Sequence, residues 1–421
     1  MNGRTRNRKP ARSRVRKPAQ RPAAPVKAVQ PTAGTAAAKP AAVRATKRFL
    51  HLQSSFDAGG KELRAVQLIN AFGPEIAHAI VSAQPGAMAA AGLISKGITV
   101  DYPGNFPSLT GFPGLGRLKR LAEAMRGYDL VLTYNWGAMD AVMAHTLYAQ
   151  AFSLPPLIHH EDGFNADEAN GLKRRRNWFR RIALGRTAAL VVPSAGLEKI
   201  AREVWHQPAS RIHRIANGIP TAAYAKKPDP DVLPGLIKRK GESWVGTLAG
   251  LRAVKDLPLL VRAFSTLPDY WQLVILGEGP ERAAIEAQAE ALGIEHRVHL
   301  PGFVADPAAA VGLFDIFALS SRSEQFPISV VEAMAAGLPV AAPAVGDVQA
   351  MVARENRRYI VEPGSEAALE DALAALAADE KLRAAVGSAN REKARESLDE
   401  ERMIARYRAL YLAAAAARPL R

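Results

Sequence analysis

The sequence predicts an α/β protein with two Rossmann-like parallel-sheet domains that face each other across a cleft. The chain has 421 residues, 48% of them apolar, which is too long for one ordinary domain and enough for two cores. From residue 48 onward, short apolar runs alternate with longer segments of helical character, as in βαβ units. The stretch 221–241 is rich in Pro, Lys and Asp and separates two such alternations, which predicts a domain linker.

The two alternations predict the strands and the longest helices. The predicted strands are 48–53, 76–82, 98–102, 128–133, 156–160, 188–193, 211–215, 243–249, 271–276, 297–300, 316–319, 339–342 and 359–361. The predicted helices include 60–71, 115–126, 194–205, 365–397 and 400–416. We expect domains at 48–220 and 242–398, with a last segment, 399–421, that returns to the first domain. Ligands of such domains bind beyond the carboxyl ends of the strands, which places the site in the cleft.

Residues 1–47 are predicted to form a disordered basic tail. Residues 1–48 contain fourteen Lys or Arg and no Asp or Glu, and the whole chain has a formal charge of +16. Because the tail has few large apolar residues, it cannot offset the entropy lost on ordering. The remainder of the chain carries only +2, so the basic character belongs to an appendage.

Composition excludes several classes of protein. The chain has no cysteine, which excludes disulfides, thiolate metal sites and a cysteine nucleophile. The most apolar stretch, 330–345, is interrupted by Glu332, Gly337, Pro339 and Pro343 and is shorter than the run of about 20 residues that a membrane span needs. The N-terminal segment lacks the apolar region of a secretory signal. We therefore expect a cytoplasmic protein.

The segment 320–339 is the most informative part of the sequence. It lies between two predicted strands, and Pro327 suits the first turn of a helix, where its missing N–H costs nothing. Gly337 suits the C-terminal cap of the same helix. These two residues predict a helix at 327–336, with Glu324 in the loop before it.

The start of this helix is a candidate anion site. The unpaired backbone N–H groups of Ile328, Ser329 and Val330 and the helix dipole favour a phosphate group there. Glu332 lies about one turn further on, so one acid precedes these amides and one follows them. This pattern suits a nucleotide diphosphate-sugar, with sugar hydroxyls at Glu324 and ribose hydroxyls at Glu332. The alternative is a strand–loop–helix with two solvated acids.

These and other motifs resemble those of a known family, the retaining family 4 glycosyltransferases of GT-B fold. Glu324 and Glu332 have the E-x7-E spacing of that family. Three further motifs occur in the family's order, namely Val192-Pro193-Ser194, Asn217-Gly218-Ile219 and Gly277-Glu278-Gly279-Pro280, and the similarity extends over about 49–412. The resemblance implies transfer of a sugar from a nucleotide diphosphate-sugar, without a cofactor, to a glycan or lipid-linked acceptor in cell-surface polysaccharide or glycolipid synthesis.

The resemblance also implies site residues, with two departures. Gln325 replaces the usual Gly after the first Glu, and Gly250 replaces an Arg that usually precedes the phosphate-binding Lys255, with Arg252 the nearest substitute. The alternative for Arg252 and Lys255 is a polar loop between a strand and a helix. The donor-binding residues implied are Gly59, Gly60, Arg252, Lys255, Gln325, Phe326, Pro327, Ile328, Ser329, Val330 and Glu332. The catalytic residues implied are Glu324, Lys255 and one of His159 and His160.

Two motifs of the first domain are candidate parts of the site, and each also has another explanation. Gly59 and Gly60 lie between a strand and a helix, where glycines let the backbone approach a ligand closely. A plain tight turn explains them nearly as well. His159 and His160 end a predicted strand, and the resemblance implies that one of them contacts the donor sugar or the acceptor. A zinc site is less favoured, because adjacent histidines on a strand point apart and no third ligand is evident.

The sequence also suggests a membrane partner. The segment 171–184 has six basic residues together with Trp178, Phe179 and Ile182, which suits an anionic membrane surface. An ordinary helix with a solvated basic face is the alternative. The basic tail is a second candidate for membrane attachment at the inner face of the cell membrane. It also raises the alternative of nucleic-acid binding, but its lack of aromatic residues and the small charge of the body argue against that partner. A sugar-nucleotide epimerase of the same fold is the alternative within enzymes.

Overall fold

Two parallel β-sheets organise the chain in the computed structural model, which describes residues 47–57, 59–164, 168 and 172–417. The first sheet has seven strands in the order β3-β2-β1-β4-β5-β6-β7, and the second has six in the order β10-β9-β8-β11-β12-β13. Both sheets belong to one compact unit of the chain. The prediction of two Rossmann-like domains is thereby confirmed, while the predicted disorder of residues 1–46 concerns residues outside the described ones.

Every predicted strand is present, with shifts at its ends. The first sheet is formed by β1 Lys47–Gln53, β2 Ile76–Ser82, β3 Val100–Asp101, β4 Leu130–Tyr134, β5 Leu157–His160, β6 Ala189–Val192 and β7 Ile212–Arg214. The second is formed by β8 Ser243–Leu248, β9 Trp271–Leu276, β10 Val298–Gly302, β11 Ile316–Ala318, β12 Val340–Pro343 and β13 Ile360–Val361. The central strands are continuous apolar runs because helices cover both faces of each sheet.

The helices follow the predicted pattern with one correction. The helices of the first half are α1 Gly60–Phe72, α2 Leu115–Ala124, α3 Met139–Tyr148, α4 Arg174–Ala183 and α5 Ala195–Glu203. The helices of the second half are α6 Leu257–Ser265, α7 Arg282–Ala291, α8 Ile328–Ala335, α9 Val348–Met351, α10 Glu366–Ala378, α11 Glu380–Ser397 and α12 Glu400–Ala416. The stretch 365–397 is two helices rather than one, because Asp379 is extended and its side chain accepts the N–H of Leu382 as the cap of α11.

The last helix, α12, packs on the first sheet. Its Tyr407 and Tyr411 are buried in one cluster with Phe49 of β1 and Phe72 of α1. The rings of Phe72 and Tyr411 are stacked with centroids 5.8 Å apart. The end of the chain therefore packs beside α1 on the same face of the first sheet. No helix in the described part of the chain is both long enough and apolar enough for a membrane span.

The chain passes between the two sheets twice, and the two passages are hydrogen-bonded to each other. Ile219 N donates to Leu398 O at 3.1 Å, and Glu400 N donates to Ile219 O at 2.9 Å. A Cβ on Gly218 would lie 2.7 Å from Asp399 O, so only glycine permits this approach. The stretch 221–241 then begins with a short 3-10 helix, Thr221–Ala225, whose Tyr224 is buried in the core of the second domain.

Candidate active site

The loops that end β1 and β5 in the first domain meet the loop before α8 in the second. A Cβ built on Gly60 would lie 3.4 Å from Ile328 Cδ1, and one built on Gly163 would lie 3.3 Å from Gln325 Cγ. We call residues 324–327 the donor loop. Gly60 and the donor loop with its following helix are therefore neighbours across the cleft, as the predicted site requires.

The helix after the donor loop starts one residue later than predicted and ends one residue earlier. Pro327 has an extended backbone, φ −69° and ψ 111°, and occupies the N-cap position, so α8 begins at Ile328. In the described part of the chain no side chain caps this end. The N–H of Val330 donates to Pro327 O at 3.1 Å, which reduces the predicted anion site to the amides of Ile328 and Ser329. Gly337, with φ 79°, follows the last turn as the predicted C-terminal cap.

Glu324 and Lys255 are joined in an ion pair. Lys255 Nζ donates to Glu324 Oε1 at 2.5 Å, and Ser321 Oγ donates to the same oxygen at 2.7 Å. The side chains of Glu324 and Lys255 are 12% and 22% exposed, so the ion pair is partly buried and still accessible to solvent. The Lys255 loop is held in turn by Ser320, whose Oγ donates to Lys255 O at 2.8 Å. A cation and a carboxylate thus stand at the amino end of α8.

The loop that carries Lys255 also presents Arg252 to solvent. Arg252 N donates to Gly250 O at 2.8 Å, so the chain doubles back at this point. The Arg252 Nε then lies 3.2 Å from where a Cβ of Gly250 would be. The Arg252 guanidinium therefore lies over position 250, where the resemblance led us to expect an arginine.

The glycine loop of the second domain, residues 277–280, is hydrogen-bonded to the loop that carries Arg252 and Lys255. Leu251 N donates to Glu278 O at 2.9 Å, and Glu281 N donates to Leu251 O at 3.0 Å. A Cβ on Gly277, which has φ 143°, would lie 1.9 Å from Ala249 O. This glycine is required for the close packing of two loops.

Glu332 is held by a tyrosine from the passage between domains. Tyr224 Oη donates to Glu332 Oε1 at 3.0 Å. Burial raises the pKa of the Glu332 carboxyl above its ordinary value, and the hydrogen bond from Tyr224 opposes part of that rise. Glu332 lines a cavity of about 380 Å³ between the domains, together with Gly60, Arg64 and Asn217. The cavity lies beside α8, at the acid that the sequence analysis expects to bind the ribose.

The glycines of the first-domain loop make room for a buried acid. A Cβ on Gly59 would lie 2.7 Å from Glu62 Oε2. Ser55 Oγ donates to Glu62 Oε1 at 2.6 Å, and Lys61 is ion-paired with the same carboxylate. Gly59 therefore packs against the Glu62 carboxylate, which the sequence interpretation did not foresee, while Gly60 faces α8.

Arg64 is a buried hub that the sequence analysis missed. Its guanidinium is bidentate to Asp162, with Nη2 to Oδ2 at 2.9 Å, and its Nη1 donates to Asn217 Oδ1 at 2.9 Å. Burial alone would raise the pKa of Asp162, but Arg64 holds it below its ordinary value. Arg64 thus ties α1, the loop after β5 and the first passage together. Its only signal in the sequence was its position four residues after Gly60.

The structure buries both candidate histidines, which argues against the expectation that one of them contacts the donor sugar or the acceptor. His160 is 1% exposed, its Nδ1 lies 3.0 Å from Thr133 O, and its Nε2 lies 2.7 Å from Tyr411 Oη. Burial, with Arg64 nearby, lowers the pKa of His160 to about 3. His159 is 0% exposed, and its Nδ1 lies 2.8 Å from Thr133 Oγ1. Both rings are buried because α12 and the first-domain helices cover the two faces of β5.

The predicted basic helix is α4, and its cations are not all solvated. Arg180 is 1% exposed, donates to Glu161 Oε2 at 3.0 Å, and lies 4.9 Å from the centre of the Trp136 ring. Trp178 and Ile182, in contrast, are 65% and 47% exposed. The Arg181 guanidinium lies 5.7 Å from the centre of the Trp178 ring. The helix therefore keeps an exposed aromatic and basic face while one arginine anchors it.

Two family models match the two halves of the chain. The model for Glycosyltransferase Family 4 matches residues 58–223, and the model for Glycosyl transferases group 1 matches residues 234–393. The two matches lie on either side of residues 224–233 and include the donor loop, α8 and the loops that carry Lys255 and Gly277.

Curated relatives share about a quarter of their residues with the chain. The N-acetyl-alpha-D-glucosaminyl L-malate synthase of Bacillus anthracis is 26% identical over 49% of this chain and 54% of its own length. The D-inositol 3-phosphate glycosyltransferase of Xylanimonas cellulosilytica is 26% identical over 80% of this chain and 88% of its own length. The chain thus spans about half of the first relative and most of the second.

Among solved structures, HepE from Anabaena in complex with UDP is similar over nearly the whole fold. The TM-score is 0.74, with 20% sequence identity, and the match covers 87% of this chain and all of that one. At this identity the likeness shows the fold alone, namely two facing Rossmann-like domains.

Proposed function

Because the chain belongs to the group 1 glycosyltransferases of family 4 and has their GT-B fold, we propose that it transfers a sugar from a nucleotide diphosphate-sugar with retention of configuration. The acceptor in this proposal is a glycan or a lipid-linked sugar of the cell surface. The observation that carries the donor assignment is the Lys255–Glu324 ion pair, 2.5 Å long, beside the uncapped start of α8. That arrangement offers a cation, two amides and a carboxylate at one place.

The proposed role of these groups is to separate charge as the donor binds. The diphosphate takes the amides of Ile328 and Ser329, and Lys255 turns from Glu324 toward the phosphates. Glu324 is then free to accept hydroxyls of the donor sugar. As the bond from the sugar to the diphosphate breaks, Lys255 and Arg252 stabilise the charge that develops on the leaving group. Fixed donors and cations at a leaving group are the largest catalytic contribution of such a site.

No metal or other cofactor enters this proposal, because the helix end and two cations neutralise the diphosphate. Glu332, which lines the neighbouring cavity, is assigned to the ribose hydroxyls. The donor assignment is supported by HepE, which has been crystallised with UDP and with UDP-glucose.

We also propose attachment to the inner face of the cell membrane. The supporting observation is the exposed face of α4, where Trp178 is 65% exposed with Arg181 beside its ring. A cationic helix with exposed aromatic residues suits an anionic interface. The basic N-terminal tail provides a second, electrostatic attraction to the same surface.

The direct test is a screen of UDP-, GDP- and ADP-sugars. We expect one of them to raise the melting temperature of the protein and to be consumed slowly in the absence of an acceptor. Product analysis with an acceptor then separates transfer from epimerisation, because an epimerase returns a new sugar nucleotide and leaves the acceptor unchanged. Absence of stabilisation by every donor, together with absence of transfer, would contradict the proposal.

A further inference from the structure

Asp347 of the second domain completes a helix of the first. It lies between β12 and α9, and its Oδ2 accepts the N–H of Ala195 at 2.7 Å. Its Oδ1 lies 3.4 Å from the N–H of Gly196, which it also accepts. Asp347 is 8% exposed, so this contact is largely shielded from water. The amino end of a helix attracts a negative charge, so the carboxylate suits this position.

The helix α5 depends on the other domain for these two amides. The first amides of a helix have no acceptor within it. Ser194 Oγ accepts the N–H of Leu197 at 3.1 Å, which satisfies the third amide from within the first domain. Ala195 and Gly196 are satisfied by Asp347. Separation of the domains would therefore return two amides and a carboxylate to water, which makes the contact specific to the closed arrangement.

The same turn is packed on the main chain of the donor loop. Asp347 N donates to Gln325 O at 3.1 Å. Gly346 has φ 55°, and a Cβ there would lie 2.5 Å from Glu324 O and 2.6 Å from Gln325 O. No gap is left between the turn and the loop, so a displacement of one displaces the other.

We propose that Asp347 is a positioning residue that couples closure of the two domains to the arrangement of the donor loop. The inference rests on the proposed function in one respect, that the donor binds at this loop. A contact that favours the closed state and a donor that needs the closed state must favour each other by the same factor. Asp347 therefore tightens donor binding without touching the donor.

The test measures the distance between the domains in the full-length protein. The chain has no cysteine, so single cysteines can be introduced in place of Lys119 in α2 and Ala287 in α7. These two cysteines are labelled with a pair of fluorescent dyes suited to energy transfer. Both positions are exposed, with the Lys119 side chain 56% accessible. Single-molecule fluorescence transfer is recorded without ligand and with UDP, GDP or ADP. Calorimetry on the same proteins gives the affinity for each nucleotide.

We expect Asp347→Ala to shift the ligand-free population toward longer distances and to weaken nucleotide binding about tenfold, with KM for the donor rising more than kcat falls. Asp347→Asn keeps an acceptor oxygen, so its interdomain distance and nucleotide affinity should lie between those of the wild type and of Asp347→Ala. Asp379→Ala is the matched control, because Asp379 caps the helix α11 of its own domain through Leu382 N at 3.0 Å. That variant should leave both the distance and the affinity unchanged.

The proposal fails if Asp347→Ala, folded by circular dichroism, has the distances of the wild type. It also fails if the distances lengthen while nucleotide affinity stays constant, because the coupling would then be absent. If the wild-type protein binds none of UDP, GDP and ADP, the proposed function fails and the coupling to a donor fails with it. The distance difference between wild type and Asp347→Ala would in that case still establish the closure contact.

Discussion

The hydroxyl of Tyr224 lies 3.0 Å from Glu332 Oε1, so a residue of the passage between the domains holds the carboxylate assigned to the ribose. The two residues are 108 positions apart in the chain. Tyr224 is buried in the core of the second domain, so it fixes the direction of Glu332 toward the cavity. In the proposed site, one hydrogen bond therefore links nucleotide recognition to the path of the chain between domains.

The first prediction follows from the raised pKa of Glu332. Nucleotide binding that uses the carboxylate should weaken as pH falls through this raised pKa, because the protonated group loses its charge. Glu332→Gln should bind UDP or GDP more weakly at pH 7.5 and lack this pH-dependent loss. Calorimetry from pH 7.5 to 5 provides the measurement, and the difference between the two proteins removes the titration of the nucleotide itself. Equal affinity of variant and wild type would remove Glu332 from the site.

The second prediction concerns Lys255. Lys255→Ala should lose far more turnover than stability, because a charge-assisted contact to phosphate contributes about 1.5–3 kcal/mol, or about ten- to a hundredfold in rate. Lys119→Ala, on the exposed face of α2, is the matched control and should keep wild-type activity. Initial rates and thermal unfolding of both variants decide the matter. Activity of Lys255→Ala within a few-fold of wild type would place the diphosphate elsewhere.

A third prediction concerns stability in mild acid. His51 Nε2 lies 2.9 Å from His78 Nδ1, and burial lowers the pKa of His51 well below its ordinary value and that of His78 to about 4. Below pH 6.5 the unfolded chain binds protons at these histidines and the folded protein does not, so the free energy of unfolding falls as pH falls toward 4. Each buried histidine contributes a slope of about 1.4 kcal/mol per pH unit.

Urea unfolding between pH 7.5 and 4.5 measures this slope. His78→Gln should reduce the slope of the unfolding free energy against pH by about 1.4 kcal/mol per pH unit, the contribution of one buried histidine. His206→Gln is the matched control, because His206 is exposed, and should leave the slope unchanged. The same slope in His78→Gln as in wild type would show that His78 does not stay neutral in the fold.

The fourth prediction concerns the choice of sugar. Gln325 stands where the family usually has Gly, and its Cγ approaches Gly163 across the cleft. Gln325→Gly should open this space and change the ratio of kcat/KM between donors of different sugars, with little change for the free nucleoside diphosphate. Gln150→Gly, at an exposed position just after α3 of the first domain, serves as the control. An unchanged donor ratio would show that Gln325 takes no part in sugar selection.

The last prediction concerns the basic tail. A protein that begins near Lys47 should keep its activity on soluble acceptors and lose part of its binding to anionic liposomes. Basic residues near an anionic leaflet contribute about 1 kcal/mol each, and the attraction fades beyond a Debye length, so the loss should be greatest at low salt. Co-sedimentation with anionic and neutral liposomes at low and high salt measures it. Equal binding of full-length and shortened proteins in all four conditions would end the tether proposal.

The sequence determined the local structure because its signals are local. The apolar runs located every strand, and Gly337 marked the end of α8 to within a residue. Pro327 marked its start, although Pro327 itself is the cap. The two acids around α8 and the order of the motifs were enough to predict a glycosyltransferase, which the two family models confirm.

Only the tertiary structure decided which distant groups meet and which side chains are buried. Lys255 and Glu324 are 69 residues apart, and Ala195 and Asp347 are 152 apart, so nothing in either local segment records the partner. The histidines show the same limit. Alternation along β5 indicates that His159 and His160 point to opposite faces, but both faces are covered by helices, one of them α12 from the end of the chain. Burial depends on what packs against a face, and that is a property of the whole fold.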